Sequence, residues 1–347
     1  MNIFITGING VLGSVLAKEL RLRGHYVAGC DLAHSSDPNI IRADIAERRQ
    51  LTDALQIVDG HSTFNPTGHG IDLVYHFAAE FGRHNGQFYY EDLWRTNCIG
   101  TRNVIEECHK RGIPMVFSSS SEAYGMSELY ANGSPLQEEM LDDFAPQFHT
   151  EYALSKWTNE RQIFTAVRNN GLKAIVLRFF NVYGPPERFS PFRSVVSQFT
   201  WNLLNGLPLT VNLEGKRSHL WIGDWVRTVA NIATLDRLRE FHSDPTKVWL
   251  GAGGTPGVPV FNIGGTEYEP ISELYKRILD AARYVRGVGL SEPIVRYQKS
   301  EMRNSATKES DNTLATLFLG HNPTMPLNKG LLETVKWMEK IRQEGLT

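Results

Sequence analysis

The sequence predicts an α/β fold, a doubly wound parallel sheet with a smaller α+β domain after it, and three observations carry that expectation. The chain opens with a buried-strand run (Ile3, Phe4, Ile5), a turn containing Gly7, Gly10 and Gly13, and a helical period from Val11 to Leu22. Apolar strands and helical segments then alternate through the first half of the 347 residues, the pattern of βαβ units. Beyond Phe180 the alternation gives way to a proline-bearing connection, residues 185–191 (PPERFSP), and to short mixed strands and helices. The division this implies is a first domain of residues 1–180, rejoined by about 218–250, and a second of residues 181–217 and 251–347.

Each element has a local reason. The spacing Gly-x-x-Gly-x-x-Gly lets backbone N–H groups approach a pyrophosphate, and the helix N-terminus behind it adds a favourable dipole. The apolar run from Tyr26 to Cys30 ends at Asp31, a carboxylate placed to accept hydrogen bonds from the ribose hydroxyls of NAD and to repel the 2′-phosphate of NADP. Strand, glycine turn, helix and terminal Asp together read as a Rossmann-type dinucleotide site. A short strand from Ile40 to Ile45 contains Asp44, which either meets the adenine edge of the cofactor or caps the helix that follows Glu47. Residues 59–70 (DGHSTFNPTGHG) are a turn-rich loop in which His61 and His69 are solvated. The run Ile71 to Ala79 suits a strand buried on both faces, and it leaves Glu80 and Arg83 at the carboxyl end, where open α/β sheets bind ligands. A long helix from Tyr90 to Arg111, a strand from Pro114 to Ser118, a helix from Tyr152 to Asn169 and a strand from Lys173 to Phe180 complete the alternation.

Composition narrows the class. Hydrophobic residues make up 41% and charged ones 21%, as in soluble globular enzymes. A formal net charge of −2 supplies no electrostatic footprint for nucleic acid. Cys30, Cys98 and Cys108 are too few for a disulfide framework and form no metal-type pair, so reduced thiols, no metal and a cytoplasmic setting are expected. Apolar runs are too short to span a bilayer, and the N-terminal run has no basic leader.

Two further stretches carry chemistry. Tyr152 and Lys156 are four residues apart, on one face of a helix. A free phenol titrates near pH 10, and lowering that by ~3 units needs about 4 kcal/mol. A cation roughly 4 Å away in an effective dielectric near 20 supplies about that much. On this argument Tyr152 becomes a general base near neutral pH. Tyr-x-x-x-Lys is common on solvated helices, so its place after a dinucleotide fold is what gives it meaning. Ser118 to Ser121, followed by Glu122, lie directly after a strand, where hydroxyls face the ligand crevice rather than forming a mere polar turn.

Together these pieces resemble the extended short-chain dehydrogenase/reductase family, specifically its NAD-dependent nucleotide-sugar epimerases and dehydratases. The resemblance spans nearly the whole chain. It takes in the glycine turn, His76 to Glu80, Thr96 to Thr101, Ser119 to Gly125, Tyr152 with Lys156, Phe180 to Pro185, Arg217 to Trp221 with Asp224, and a late Arg303 with Asp311. It implies catalytic roles for Ser120, Tyr152, Lys156 and Glu122. It implies cofactor contacts, besides the glycines and Asp31, from Asp44, Ile45, Ala78, Ala79 and Asn97. Substrate contacts fall to Glu80, Arg83, Ser121, Asn181, Arg193, Arg217 and Arg303, with a surface salt bridge as the alternative for each of the last two. Arg188 is a weaker candidate.

The implied substrate is a UDP-, GDP-, CDP- or dTDP-linked sugar, oxidised at carbon 4 to a transient ketone. Epimerases return the hydride to the other face, and dehydratases use an acid/base pair to remove the hydrogen on carbon 5 and expel water from carbon 6. Decarboxylases of UDP-glucuronate let carbon dioxide leave. Glu122 falls where dehydratases keep the base for carbon 5, but Ser121 stands where many keep an Asp. The expectation is therefore an epimerase/dehydratase, with a decarboxylase as the other enzyme and a catalytically idle dinucleotide-binding regulator as the rival outside catalysis. The helices near Tyr90 to Arg111 and Tyr152 to Asn169 resemble those that pair across a homodimer.

Overall fold

The computed structural model describes residues 1–60, 70–82, 85–141, 145–234, 258–299, 305 and 307–346. Its centre is a seven-stranded parallel sheet built from β1 (Asn2–Thr6), β2 (Tyr26–Asp31), β3 (Ile40–Arg42), β4 (Leu73–His76), β5 (Met115–Ser120), β6 (Ala174–Phe179) and a late strand, Val260–Ile263. The spatial order is the late strand, β6, β5, β4, β1, β2, β3. The order in which the chain adds strands reverses between β1 and β4, and the crevice outside such a switch point is where open α/β sheets take ligands.

Alternation within the strands divides the interior into two layers. Ile3, Ile5, Tyr75, Val116 and Leu177 face one side with Leu16, Leu20 and Trp225. Phe4, Val74, Phe117 and Val176 face the other with Val104, Cys108 and Ile163. Both faces are covered, which is why the strands read as unbroken apolar runs. A third core, with Phe199, Leu203, Val211, Leu274, Ile278, Val335 and Met338, belongs to the smaller domain. There β7 (Val182–Tyr183) pairs with β10 (Leu220–Trp221), β8 (Leu209–Asn212) with β13 (Val295–Gln298), and β9 (Lys216–Ser218) lies between β12 (Tyr268–Pro270) and β14 (Thr307–Lys308).

Two expectations change. Residues 251–347 do not all join the smaller domain: Val260–Ile263, here β11, pairs in parallel with β6, and the helix Thr313–Leu319 buries Ala315 and Leu319 in the first layer. An apolar strand completes a parallel sheet wherever it falls in the chain, so composition after the boundary was a poor guide. The helix Ile222–Ala230 packs Trp225, Val226 and Val229 on the sheet, as expected of a segment that rejoins the first domain, while residues 235–250 and His61 and His69 lie outside the described residues. The long helix is interrupted: Tyr90–Trp94 is followed by a wide turn, Arg95–Gly100, and then Thr101–Arg111. Within that turn Asn97 spans from the backbone of Glu80 to Ser155, and such wide turns insert where side-chain demands break the regular ladder.

The helix Glu151–Asn170 starts at Thr150, whose side chain accepts a hydrogen bond from Ala153 N at 3.2 Å. Besides the apolar contacts of Ile163 and Phe164, its grip on the sheet has a buried polar part. Arg178 and Glu160 are both fully buried. Arg178 donates from Nε to Glu160 Oε1 at 3.0 Å and from Nη2 to Oε2 at 2.9 Å. Its Nη1 reaches Tyr124 Oη at 3.0 Å and Glu138 O at 3.1 Å. Ser119 donates to Glu160 as well. Removing one member of such a pair strands a buried charge. Glu160→Gln and Arg178→Met should each lower stability by about 3–5 kcal/mol, read as a shifted midpoint in denaturant unfolding.

Candidate functional site

A cleft of about 440 Å³ opens at the switch point, lined by the glycine turn, Asp31, Asp44, Ile45, Ala78, Ala79, Glu80, Ser120, Tyr152 and Lys156. The turn is as tight as the spacing suggests. Gly7 has φ +72°, and a Cβ there would sit 2.6 Å from Ala78 N; a Cβ on Gly13 would sit 2.2 Å from Gly7 O. Only glycine lets the backbone run this close to β4 and leaves amide groups lining a cradle. Asp31 accepts hydrogen bonds from Asn9 N at 2.9 Å and Ala33 N at 3.0 Å, which fix the carboxylate at the rim. These features fit a dinucleotide. Asp44 resolves its two readings partly toward structure: it accepts from Ala46 N at 2.9 Å and pairs with Arg95 at 2.7 Å, while remaining in the cleft wall. Asn97 is buried behind the wall, tied to Glu80 and Ser155.

A second cleft of about 590 Å³ lies beside the first, between the sheet's carboxyl edge and the smaller domain. Ser120, Tyr152, Phe192 and Arg193 line both. Ser121, Glu122, Asn181, Arg217 and Arg296 line the second alone. Asn181 holds φ +37°, a left-handed conformation that Asn tolerates better than most residues, and donates to Ser218 O at 3.0 Å. Arg217 lies below the surface. It is 7% exposed and donates to Ser305 O at 2.6 Å and Lys216 O at 2.7 Å. Arg188 is exposed. Arg83 and Arg303 lie outside the described residues.

The chemistry at the junction differs from the simple cation argument in one respect. Burial pushes Tyr152 up, opposed by hydrogen bonding with Ser120 and reinforced by the charge of Glu122. Lys156 does not overcome it. The ammonium lies 5.8 Å from the centre of the Tyr152 ring and 5.1 Å from that of Phe117, and donates to Ser118 O at 2.8 Å. Burial also lowers Lys156 itself to about 8, with Cys98 and Glu160 opposing. The protein alone therefore keeps the phenol protonated at neutral pH.

Sequence reasoning missed Lys308. This side chain is 1% exposed and its Nζ stands 2.7 Å from Glu122 Oε1, so an ammonium from β14 compensates the carboxylate that faces the second cleft. Nothing in the sequence around Lys308 distinguishes it from a surface lysine. His76, by contrast, sits inside an apolar run, a signal of structural use. It bonds Thr6 Oγ1 at 2.8 Å and Thr101 Oγ1 at 2.9 Å, and burial lowers it to about 3.

The model of the NAD dependent epimerase/dehydratase family matches residues 3–242. The chain belongs to that family. Among curated relatives, the UDP-N-acetyl-alpha-D-glucosaminuronate decarboxylase of Bacillus cytotoxicus is 26% identical, over 98% of this chain and 98% of that protein. The UDP-glucuronate 4-epimerase 1 of Arabidopsis thaliana is 27% identical, over 97% of this chain and 76% of that protein. Among solved structures, the UDP-glucose 4-epimerase of Thermotoga maritima superposes with a TM-score of 0.76 at 24% identity, covering 99% of this chain and 100% of that one. Among the described residues no helix is long and apolar enough to cross a membrane.

The buried ammonium gives stability a pH dependence. Lys156 has a folded value of about 8 against its ordinary 10.5, so between these values the unfolded chain binds the extra proton and stability rises with pH. The wild type should gain on a Lys156→Met variant by on the order of 3 kcal/mol across that window, with a constant difference below pH 8, measured by urea unfolding at fixed ionic strength.

Proposed function

We propose that this chain is an NAD-dependent nucleotide-sugar epimerase/dehydratase that works through oxidation at carbon 4 of the sugar. The observation that carries the reading is the shared wall: Ser120 and Tyr152 line both clefts, where a group held in one meets a group held in the other. The glycine turn, Asp31, Ala78 and Ala79 are the residues that would hold NAD. Bound in its oxidised form, NAD supplies a hydride acceptor and a fixed positive charge. Tyr152 takes the proton of the carbon-4 hydroxyl and returns it, Ser120 holds the same oxygen, and Lys156 keeps positive charge behind the phenol. Burial makes the Tyr152 proton hard to lose, so the base works once the cationic charge of bound NAD is added beside it. Asn181, Arg217 and Arg296 form the wall for the diphosphate.

Glu122, compensated by Lys308, is the base for the hydrogen on carbon 5, which the carbon-4 ketone acidifies. A uronate decarboxylase is the second reading. The observation favouring it is Ser121, which stands beside Glu122 where expulsion of water calls for another acid.

The exposed Phe88, Tyr89, Tyr90 and Ile99, next to the helix Thr101–Arg111, support a homodimer. The free thiols of Cys30, Cys98 and Cys108 support a cytoplasmic setting.

Incubation with UDP-, GDP-, CDP- and dTDP-sugars, followed by mass spectrometry and proton NMR, should show turnover of one of them. Loss of water, loss of carbon dioxide or an unchanged mass identifies the reaction. Tyr152→Phe should cut that turnover by about 10²–10⁴-fold and remove any transient NADH absorbance while NAD stays bound. Full turnover by this variant would remove Tyr152 from the chemistry.

A further inference from the structure

Behind the glycine turn lies a buried hydrogen-bonded link that the chemistry above does not use. Thr6 ends β1 one residue before Gly7, and its register partner on β4 is His76. The imidazole joins two hydroxyls: Nδ1 meets Thr6 Oγ1 at 2.8 Å and Nε2 meets Thr101 Oγ1 at 2.9 Å. All three residues are buried. Thr6 Oγ1 has a further partner, the backbone N–H of Ala78, which donates to it at 3.2 Å. The same nitrogen is where the glycine turn presses on the chain after β4, since a Cβ on Gly7 would stand 2.6 Å from it. Ala78 lines the first cleft. One hydroxyl therefore sets the spacing between turn and wall, and the imidazole orients that hydroxyl.

The other end of the ring leads toward the phenol. Thr101 opens the helix that follows the wide turn Arg95–Gly100. From this turn Asn97 holds the backbone of Glu80 and reaches Ser155, whose hydroxyl donates to Tyr152 O at 2.8 Å. Histidine suits the junction because an uncharged imidazole carries one N–H and one lone pair on separate nitrogens. In either tautomer it serves both threonines without bringing a charge into the layer of Phe4 and Phe117. Burial, aided by the charge of Lys156, lowers His76 to about 3, so the ring stays uncharged at neutral pH.

We propose that His76 is a positioning residue for the dinucleotide cradle: through Thr6 Oγ1 it sets Ala78 against the glycine turn, and NAD affinity depends on that bond. The inference rests on the first cleft being the NAD site, as proposed above, and adds a residue behind the wall on which that site depends.

Amide variants separate the two ring nitrogens. Asn carries a polar atom at the place of Nδ1, Gln carries one at the place of Nε2, and Phe fills the space with neither. Titration calorimetry of NAD into nucleotide-free protein should find His76→Asn within about three-fold of the wild type, and His76→Gln and His76→Phe weaker by about ten-fold or more. Thr6→Val, which replaces the hydroxyl by a methyl, should lose as much. The double variant Thr6→Val/His76→Phe should lose no more than either alone, because both remove one link. Urea unfolding of each variant separates binding from folding. Lowered midpoints with unchanged NAD affinity would make the ring a folding element only and overturn the inference. Equal losses in His76→Asn and His76→Phe, or additive losses in the double variant, would overturn it as well. If His76→Phe does not fold, His76→Asn, His76→Gln and Thr6→Val carry the same comparison. Failure of the wild type to bind NAD would remove the cofactor site and the inference with it.

Discussion

A charge pair with no access to water holds the helix Glu151–Asn170 to the sheet. Arg178 and Glu160 are fully buried and doubly hydrogen-bonded, with Tyr124, Ser119 and the carbonyl of Glu138 around them. Such a pair is a poor source of net stability compared with well-packed apolar side chains. What it supplies is register. Glu160 lies one turn along the helix from Lys156, and Arg178 lies on the strand next to β5, which ends in Ser120. Sliding the helix by one residue would separate both charges from their partners inside the protein, which costs far more than sliding an apolar face. The hydroxyl of Ser120 and the phenol of Tyr152 come from different elements, and this pair fixes the distance between those elements. The network continues through Tyr124 to Asn262 on β11, so the outer strand is tied into the same frame.

The fold was legible because the parallel sheet announces itself: runs such as those around Ile5, Val74 and Val176 are apolar on both faces, and glycines that pack against backbone are irreplaceable. Asp31 was legible for a related reason, since a strand end fixes where a side chain must project. Lys308 was not, because its partner Glu122 meets it only after the chain has crossed the smaller domain. The late strand β11 was misplaced because four apolar residues carry no mark of which sheet they join. Arg178 could have been found, being a charge within the apolar run from Ala174 to Phe179. The direction of the shift on Tyr152 was beyond sequence reasoning, because spacing along a helix reports a neighbour and says nothing about burial.

The site also divides by origin. The dinucleotide wall is built from the amino-terminal strands and their turns, with the last part from residues 179–194 and 222. The second cleft draws on β8, β9 and β13, strands that each pair with a distant part of the chain. Changes in the smaller domain can therefore reshape the second cleft without disturbing the glycine turn of the first. Family members with different outcomes on one scaffold are what such a division permits.

On the proposed function, the partition that includes Ser120, Tyr152, Phe192 and Arg193 stands between two ligands, one on each side. Thermodynamic reciprocity then applies. Whatever advantage the second arrival finds in a partition already set by the first, the first would find equally if the order were exchanged.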